Sequence, residues 1–592
     1  MATHNLGTRI ARLEAIRAIR QRQSQFGRLL ARPDPAAAAA CFLPDATIEI
    51  GASGVFVGRR RIQAALTRLV GAEGPSSPGG MPNLAMHAQI MPIIVVGPTG
   101  DHAMATWRDL DTGARNGSAY WADGVVLTSY RLTPTGWMLA SLRWERTIHV
   151  PFDGGWRENA DACPPLGIEP DRPTTHHVPV WPNVPSEPLE LEPRLAPVGD
   201  EAPEHADADV TPSHPDDAVL ARVESLERTF EISYLVSRLG YAFDDADWER
   251  FADQLSDDVV VRLGTRAIRR RTAVLAALRA ICNDRDTEGR LLETVLFEPE
   301  ITFDNGRARV TVRFFSQWTA YGIWHELGVG TCDIEFTRVA TGWSITRLDA
   351  SDAQFTPYDR GWAKHRSTNS RLARAERPAP VTQPPEGSAG VTRTAAAWPI
   401  AAPNGDCTTD PALPVEQRLR RLESLVEIEQ TQYAYGYHLS SLAWDQLTEL
   451  FTDDGTIEIA HRGIYRGRPS IRRSFDLYGA GPEDGVLHSH LQFQLIVELS
   501  SDGSHATVRA RAFSMLGRYR SSAMWTAGRY RNEYARLDRF GPWRIAVDHL
   551  VNRYFAPYEV GWKDIPHRDP PGPSETSPPD APSTERFSLY PH

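Results

Sequence analysis

A strand-then-turn signature occurs three times in this chain of 592 residues, and it constrains the fold more than any other feature. It reads WMLASLRWERTIHVPFDGGW from Trp137 to Trp156, WSITRLDASDAQFTPYDRGW from Trp343 to Trp362, and WRIAVDHLVNRYFAPYEVGW from Trp543 to Trp562. In each copy 19 positions separate the two tryptophans. Each copy closes on an aromatic residue, two further residues, then Gly-Trp, with Phe152, Tyr358 and Tyr558 in the aromatic place. Copies about 200 residues apart do not make a solenoid, whose repeats of roughly 20–50 residues share one core. Each copy can bury a core of its own. Function therefore belongs to one unit, or to what three linked units add.

A second trace keeps the same period. Arg-apolar-Glu-small-apolar opens each unit at Arg12–Ile16, Arg222–Leu226 and Arg421–Leu425, followed by helical spacing with a charged outer face. An acidic turn comes next. Tyr241-Ala-Phe-Asp244 leads through Trp248 to Asp257-Asp258, and Tyr437-His-Leu-Ser440 leads through Trp444 to Asp453-Asp454. The first unit is more eroded, with Ala31 leading to Asp45, yet Thr47-Ile-Glu-Ile50 matches Thr456-Ile-Glu-Ile459 of the third.

Composition sets outer bounds. A chain of this length holds three or four domains of about 100–200 residues. A net charge of −11 argues against a nucleic-acid surface as the main role. Arg59–Arg61 and Arg269–Arg271 precede helical patterns and read as solvated helix starts. No apolar run approaches the ~20 residues of a membrane helix, and no secretory signal opens the sequence. Five scattered cysteines without Cys-x-x-Cys fit a reducing cytoplasm better than a disulfide framework or a cysteine metal site. Pro164–Pro215, Pro378–Pro414 and the tail from Pro566 are Pro-rich linkers that cannot fold alone and can lie as extended straps. His176-His177 in the first linker reads as an incidental pair.

The unit boundaries expected from these marks are 1–158, 216–365 and 415–565, with linkers at 159–215 and 366–414 and a tail at 566–592. Within a unit, helices precede a short strand and another short helix. Long alternating segments such as 308–315, 334–339 and 505–513 then mark strands with one buried face. The fold class is α+β: three tandem cone-shaped half-barrels, each with helices packed on a curved, mostly antiparallel sheet.

This order resembles SnoaL-like members of the nuclear transport factor 2 superfamily. The residues that carry the likeness are Trp248-Glu-Arg with Leu-Ser-Asp-Asp and Trp444-Asp-Gln with Phe-Thr-Asp-Asp. In the third unit they are also Gly528–Asp538 and Asn552–Tyr558, which look like the final strands of the hexachlorocyclohexane dehydrochlorinase and scytalone dehydratase type of lyase. The resemblance implies an apolar cone that holds a small molecule, and cofactor-free lyases, dehydratases, isomerases, cyclases or pure binding proteins. It does not settle which.

The resemblance further implies a helix Asp that orients a strand His, the base for a carbon-bound proton. Four residues before the helix tryptophan, unit 2 has Asp244 and unit 3 has Ser440; Ala31 takes the place in unit 1. In the His place stand Leu292 in unit 2, His488 in unit 3 and Ala85 in unit 1, with His87 two residues on. Unit 2 thus has the acid without the base, unit 3 the base without the acid, and unit 1 neither in register. Asp244 alone reads as a cap or surface residue.

His488, His490 and Gln492 alternate on one strand and share a face. Asp548 on the last strand is the replacement acid expected to orient a histidine. Tyr437 shares a helix face with Ser440, and Tyr530, Asn532 and Tyr534 alternate on a neighbouring strand. The expectation is a cofactor-independent lyase or dehydratase acting on a hydrophobic cyclic or aromatic small molecule. In it His488, His490, Asp548, Tyr437 and Tyr534 are catalytic, and Gln492, Ser440, Trp444, Tyr530 and Asn532 bind substrate. Asp244, Tyr241 and His87 are secondary candidates in the other units. A metal held by His488, His490 and Asp548 is set aside, because the resembled family seldom uses one. An isomerase or cyclase uses the same equipment, and a non-catalytic binding or assembly protein with degenerate cones is the rival. The expected partner is the substrate alone, with no nucleic acid and no membrane, and the chain is expected to be monomeric with its three units packed as an internal trimer.

Overall fold

The computed structural model describes residues 2–32, 34–70, 83–115, 117–160, 166–174, 182, 217–281, 289–340, 342–374, 411–459, 461–538, 541–565 and 572–584. Most of both linkers, His176-His177 and three of the five cysteines lie outside these residues; Cys41 and Cys332 are buried and unpaired.

Each unit opens on a long helix: Ala2–Ala31, Asp217–Asp244 and Val415–Ser440. Every residue from Ile428 to Tyr437 is buried, so this helix is covered on all sides rather than along one stripe. Its own sheet covers one side, while the other two long helices and a strand of unit 1 cover the rest. Asp247 caps the short helix Trp248–Asp253 by accepting the Arg250 N–H.

Units 1 and 3 carry identical six-stranded sheets. In unit 3 the order runs Gly463–Arg466, Phe451–Ile459, Arg544–Pro557, Ser522–Ala535, His505–Arg518, Val486–Leu499. All neighbours are antiparallel except Phe451–Ile459 beside Arg544–Pro557. The sheets stay open. Val486–Leu499 and its counterpart Leu84–Val96 each carry a bulge, with Gln494 and Met91 at positive φ (52° and 54°). In unit 2 the counterpart breaks into Arg290–Leu296 and Glu300–Asp304 around Pro299, which has no N–H for the ladder. Trp137, Trp343 and Trp543 stand at the start of the last long strand in each unit.

The repeated aromatic-x-x-Gly-Trp turn is where the units meet. Trp156 of unit 1 donates its indole N–H to the Leu516 carbonyl of unit 3, and Trp362 of unit 2 donates to Thr112 of unit 1. Trp562 of unit 3 packs on Tyr358 and His325 of unit 2. The three contacts run the same way round. Phe152, Tyr358 and Tyr558 meet one another with ring centroids 5.8, 6.3 and 5.9 Å apart. The glycine is required twice over. Gly155, Gly361 and Gly561 have φ of +51°, +66° and +62°, and a Cβ on any of them would fall within 3.0 Å of a ring in the neighbouring unit.

The long helices also meet, with ion pairs between every two of them: Arg9 to Glu423 and Arg20 to Glu429, Arg222 to Glu14, and Arg418 to Glu227. The charged face read as outer in the sequence is therefore partly an interface. Beyond units 1 and 3 the described stretches 166–174 and 572–584 do lie as straps. Arg172 bridges to Val55 and Ala581 to Ile464, while Asp171 and Asp580 accept the N–H groups of Val57 and Arg466.

Candidate functional site

Gly27, Gly240 and Gly436 mark one equivalent turn of the three long helices. In each, a Cβ would collide with the edge strand of the same unit or with a residue of the neighbouring one. Four residues on, Ala31, Asp244 and Ser440 face equivalent clefts between helix end and edge strand. Into each cleft comes an arginine from the next unit: Arg313 of unit 2 into unit 1, Arg511 of unit 3 into unit 2, and Arg108 of unit 1 into unit 3.

The cleft of unit 2 is filled. Asp244 is fully buried and accepts from Arg511 and from the Thr294 N–H at 2.8 Å. Glu293 holds the same guanidinium at 2.8 Å and Arg553 at 2.7 Å, and the Tyr241 ring lies 4.4 Å beneath Arg511. Burial raises the Asp244 pKa, against the pull of Arg511. The expectation of a cap or surface residue is wrong for Asp244. The sequence leaves the reason invisible, because Arg511 lies 267 positions away.

In unit 3 the same places hold Ser440 for Asp244 and Ser489 for Glu293, and the cleft is a cavity of about 100 Å³. Arg108, Tyr437, Ser440, His488 and Ser489 line it. Arg108 is held by Asp123 of its own unit at 2.6 and 2.8 Å and donates to the Ser489 hydroxyl at 2.9 Å.

His488 and His490 do meet. Their Nε2 atoms are 3.4 Å apart. The His488 Nδ1 is 2.9 Å from the Leu439 carbonyl, which can only accept, so Nδ1 carries the hydrogen and Nε2 is the basic atom. His490 Nδ1 lies 3.1 Å from the Ser514 hydroxyl. Burial lowers the His488 pKa to about 4; His490 is held well below the ordinary value by burial, then by His488 and by Arg108. Both imidazoles are neutral at pH 7. Trp444 stacks on Phe475 at 5.2 Å and presents its edge to His488 at 6.2 Å.

Of the remaining predicted residues, Tyr437 and Ser440 reach the cleft and the others are placed elsewhere. Asp548 accepts from the Tyr435 hydroxyl at 2.8 Å, not from a histidine, and burial pushes it up to about 7. Tyr437 donates to the Met91 carbonyl of unit 1 at 3.1 Å. Tyr534 and Asn532 both donate to the Gln432 side-chain oxygen, at 2.6 and 3.0 Å, while Gln492 accepts from the Gln432 amide at 2.8 Å. Tyr530 packs edge-on against Tyr435 at 5.9 Å. Asp548, Tyr530, Asn532, Tyr534 and Gln492 thus lie in a buried cluster along the helix, apart from the two histidines, while Tyr437 stays at the wall of the cleft with His488. Ser440 accepts the His490 N–H at 3.0 Å, so it holds the strand against the helix.

Unit 1 also corrects the sequence reading. His87, the secondary candidate, lies 3.1 Å from Asp111, both fully buried, with Tyr120 donating to the same carboxylate at 3.1 Å. Asp109, on the same strand face, accepts from Trp144 at 2.8 Å and Gln89 at 2.6 Å. Burial and Asp111 raise its pKa. The unit does hold a histidine–carboxylate pair, with the acid on the neighbouring strand rather than on the helix. Alternating acids on one face of a strand, Asp109 and Asp111, were the available signal. Among the described residues no group of three or more His, Cys, Asp or Glu is placed to hold a metal ion, and no helix is long and apolar enough to cross a membrane.

Comparison with known proteins gives a SnoaL-like domain three times, at residues 11–143, 224–349 and 420–547, together more than half of the chain. A comparison with curated proteins finds no match. Among solved structures, an NTF2-like protein with a cystatin-like fold from Novosphingobium aromaticivorans is 20% identical, covering 24% of this chain and 87% of its own, with a TM-score of 0.20. A hexachlorocyclohexane dehydrochlorinase from Novosphingobium barchaimii is 15% identical, covering 24% and 92%, with a TM-score of 0.21. A protein of unknown function from Mycobacterium tuberculosis is 25% identical, covering 22% and 76%, with a TM-score of 0.18.

Proposed function

The chain belongs to the SnoaL-like domain family, and from that premise we propose that its third unit is a proton-transfer enzyme of the lyase type, a dehydratase or dehydrohalogenase, acting on a small hydrophobic molecule. The observation that carries this reading is the neutral His488, its tautomer held by the Leu439 carbonyl, at the wall of the cleft in unit 3. A neutral imidazole with a defined lone pair is a base at pH 7. His488 Nε2 takes the proton from carbon. The electron pair of the broken C–H bond forms the double bond as oxygen or halide departs. The imidazolium so formed has no carboxylate beside it and gives its Nε2 proton to the departing oxygen, which leaves as water, or to solvent when halide leaves; His490 Nε2 lies 3.4 Å away.

An isomerase or cyclase would use the same base. The binding or assembly reading draws on a different observation: the cleft of unit 2 is closed by ion pairs to Arg511 of unit 3, and the pair of unit 1 is wholly buried. The test is turnover of a panel of cyclic alcohols and halides by the full chain. His488→Ala should lower kcat by at least about a hundredfold, the low end of general-base contributions, with the melting temperature near wild type. Retained turnover in His488→Ala, with loss in His87→Ala, would move the chemistry to unit 1.

A further inference from the structure

The internal repeat supplies its own comparison for the cleft in unit 3. At the junction of units 2 and 3, Arg511 is clamped by two carboxylates, Asp244 and Glu293, and the space is full. At the junction of units 3 and 1, both positions are serine and the space beside Arg108 is a cavity of about 100 Å³. Only 5% of Arg108 is exposed, and its Nε has no acceptor. The charged groups around it are accounted for. Asp123 and Ser489 are both met by Nη2 of Arg108, and Glu483 at the rim is held by Arg518 at 2.6 Å. Two places that hold carboxylates in unit 2 are thus serine here, around a buried guanidinium carried in from the neighbouring unit.

We propose that the cleft of unit 3 takes a small carboxylate, whose anionic oxygens occupy the space that the Asp244 carboxylate fills in unit 2 and pair with Arg108 of unit 1. The apolar body of the ligand then extends past Leu442 and Leu487 toward His488. A buried guanidinium recognises a carboxylate with directed, charge-assisted hydrogen bonds, and such bonds separate a charged ligand from its neutral isostere by about tenfold or more. The site is complete only when units 1 and 3 are joined. This deepens the reading of unit 3 as the acting unit and rests on it.

The test is isothermal titration of the full chain with benzoate and with benzamide, which share shape but not charge. Wild type should bind benzoate at least about tenfold more tightly than benzamide. Arg108→Met should abolish the preference. Ser440→Asp returns a carboxylate to the protein beside Arg108; it should abolish benzoate binding and raise the melting temperature. Equal binding of the two probes, binding of neither, or a benzoate preference that survives both variants would overturn the proposal. If Arg108→Met does not fold, Ser440→Asp decides alone. Binding is measured without turnover, so loss of the preference leaves the His488 reading standing, and an active His488→Ala leaves the preference standing.

Discussion

Asp244 and Ser440 differ by one carboxylate at equivalent helix positions, and each consequence follows from what that carboxylate meets. In unit 2 it meets Arg511 in a dry interface. Removing one partner of a buried pair strands the other charge, so Asp244→Ala should destabilise the chain by about 3 kcal/mol, the low end of the usual cost, because Glu293 still holds Arg511. Asp244→Asn should cost less than Asp244→Ala, since the amide oxygen still accepts from the Thr294 N–H; chemical denaturation measures both. In unit 3 the consequence is a histidine without a carboxylate. Burial depresses its folded pKa to about 4, against an ordinary 6.5. The unfolded chain therefore gains a proton as pH falls through about 6.5, while the folded imidazole gains one only near 4. This group withdraws stability across that window. The NMR titration of the His488 ring should have its midpoint near pH 4; a midpoint near 6.5 would show an imidazole open to water.

The Gly-Trp turn is the element whose meaning changed most between sequence and structure. Its spacing was legible as a repeat because tryptophan, glycine and aromatic residues at fixed intervals form a local pattern. Its role as a clasp was not, since the ring it presses on belongs to another unit. The same distinction runs through the site. Helix–strand order, the alternating strands, the Asp244 and Ser440 places and the pairing of His488 with His490 could all be counted along the chain. Arg108, Arg511 and Asp111 arrive from neighbouring strands or units, and no period in the sequence brings them to the clefts. Tyr437 faced the wrong partner for the same reason: the helix turn was right, but Met91 of unit 1 claims the hydroxyl. Gly361→Ala tests the clasp. It forces a Cβ into a positive-φ position 2.9 Å from the Phe152 ring, which should cost about 1–3 kcal/mol in denaturation. An Ala change at Gly117, whose φ is also positive but whose Cβ meets nothing within 4 Å, should cost only the backbone part.

At the scale of the molecule, three copies joined in one chain can diverge as three identical subunits cannot. Linkage turns association into an intramolecular step at roughly millimolar effective concentration. A copy can then lose its cleft while keeping the surface its neighbours need. We propose that the chain is monomeric in solution, since each unit already meets two others through its helix and its Gly-Trp turn. Light scattering should give a mass near 65.9 kDa; a dimer mass would show a further interface. The central claim is that the cleft of unit 3 is open where that of unit 2 is filled by ion pairs. A crystallographic soak of the full chain with small aromatic carboxylates tests it directly. Density should lie between Arg108, Ser440 and His488, with none beside Asp244 or His87. A ligand in the cleft of unit 1 or unit 2, with that of unit 3 empty, would contradict the account.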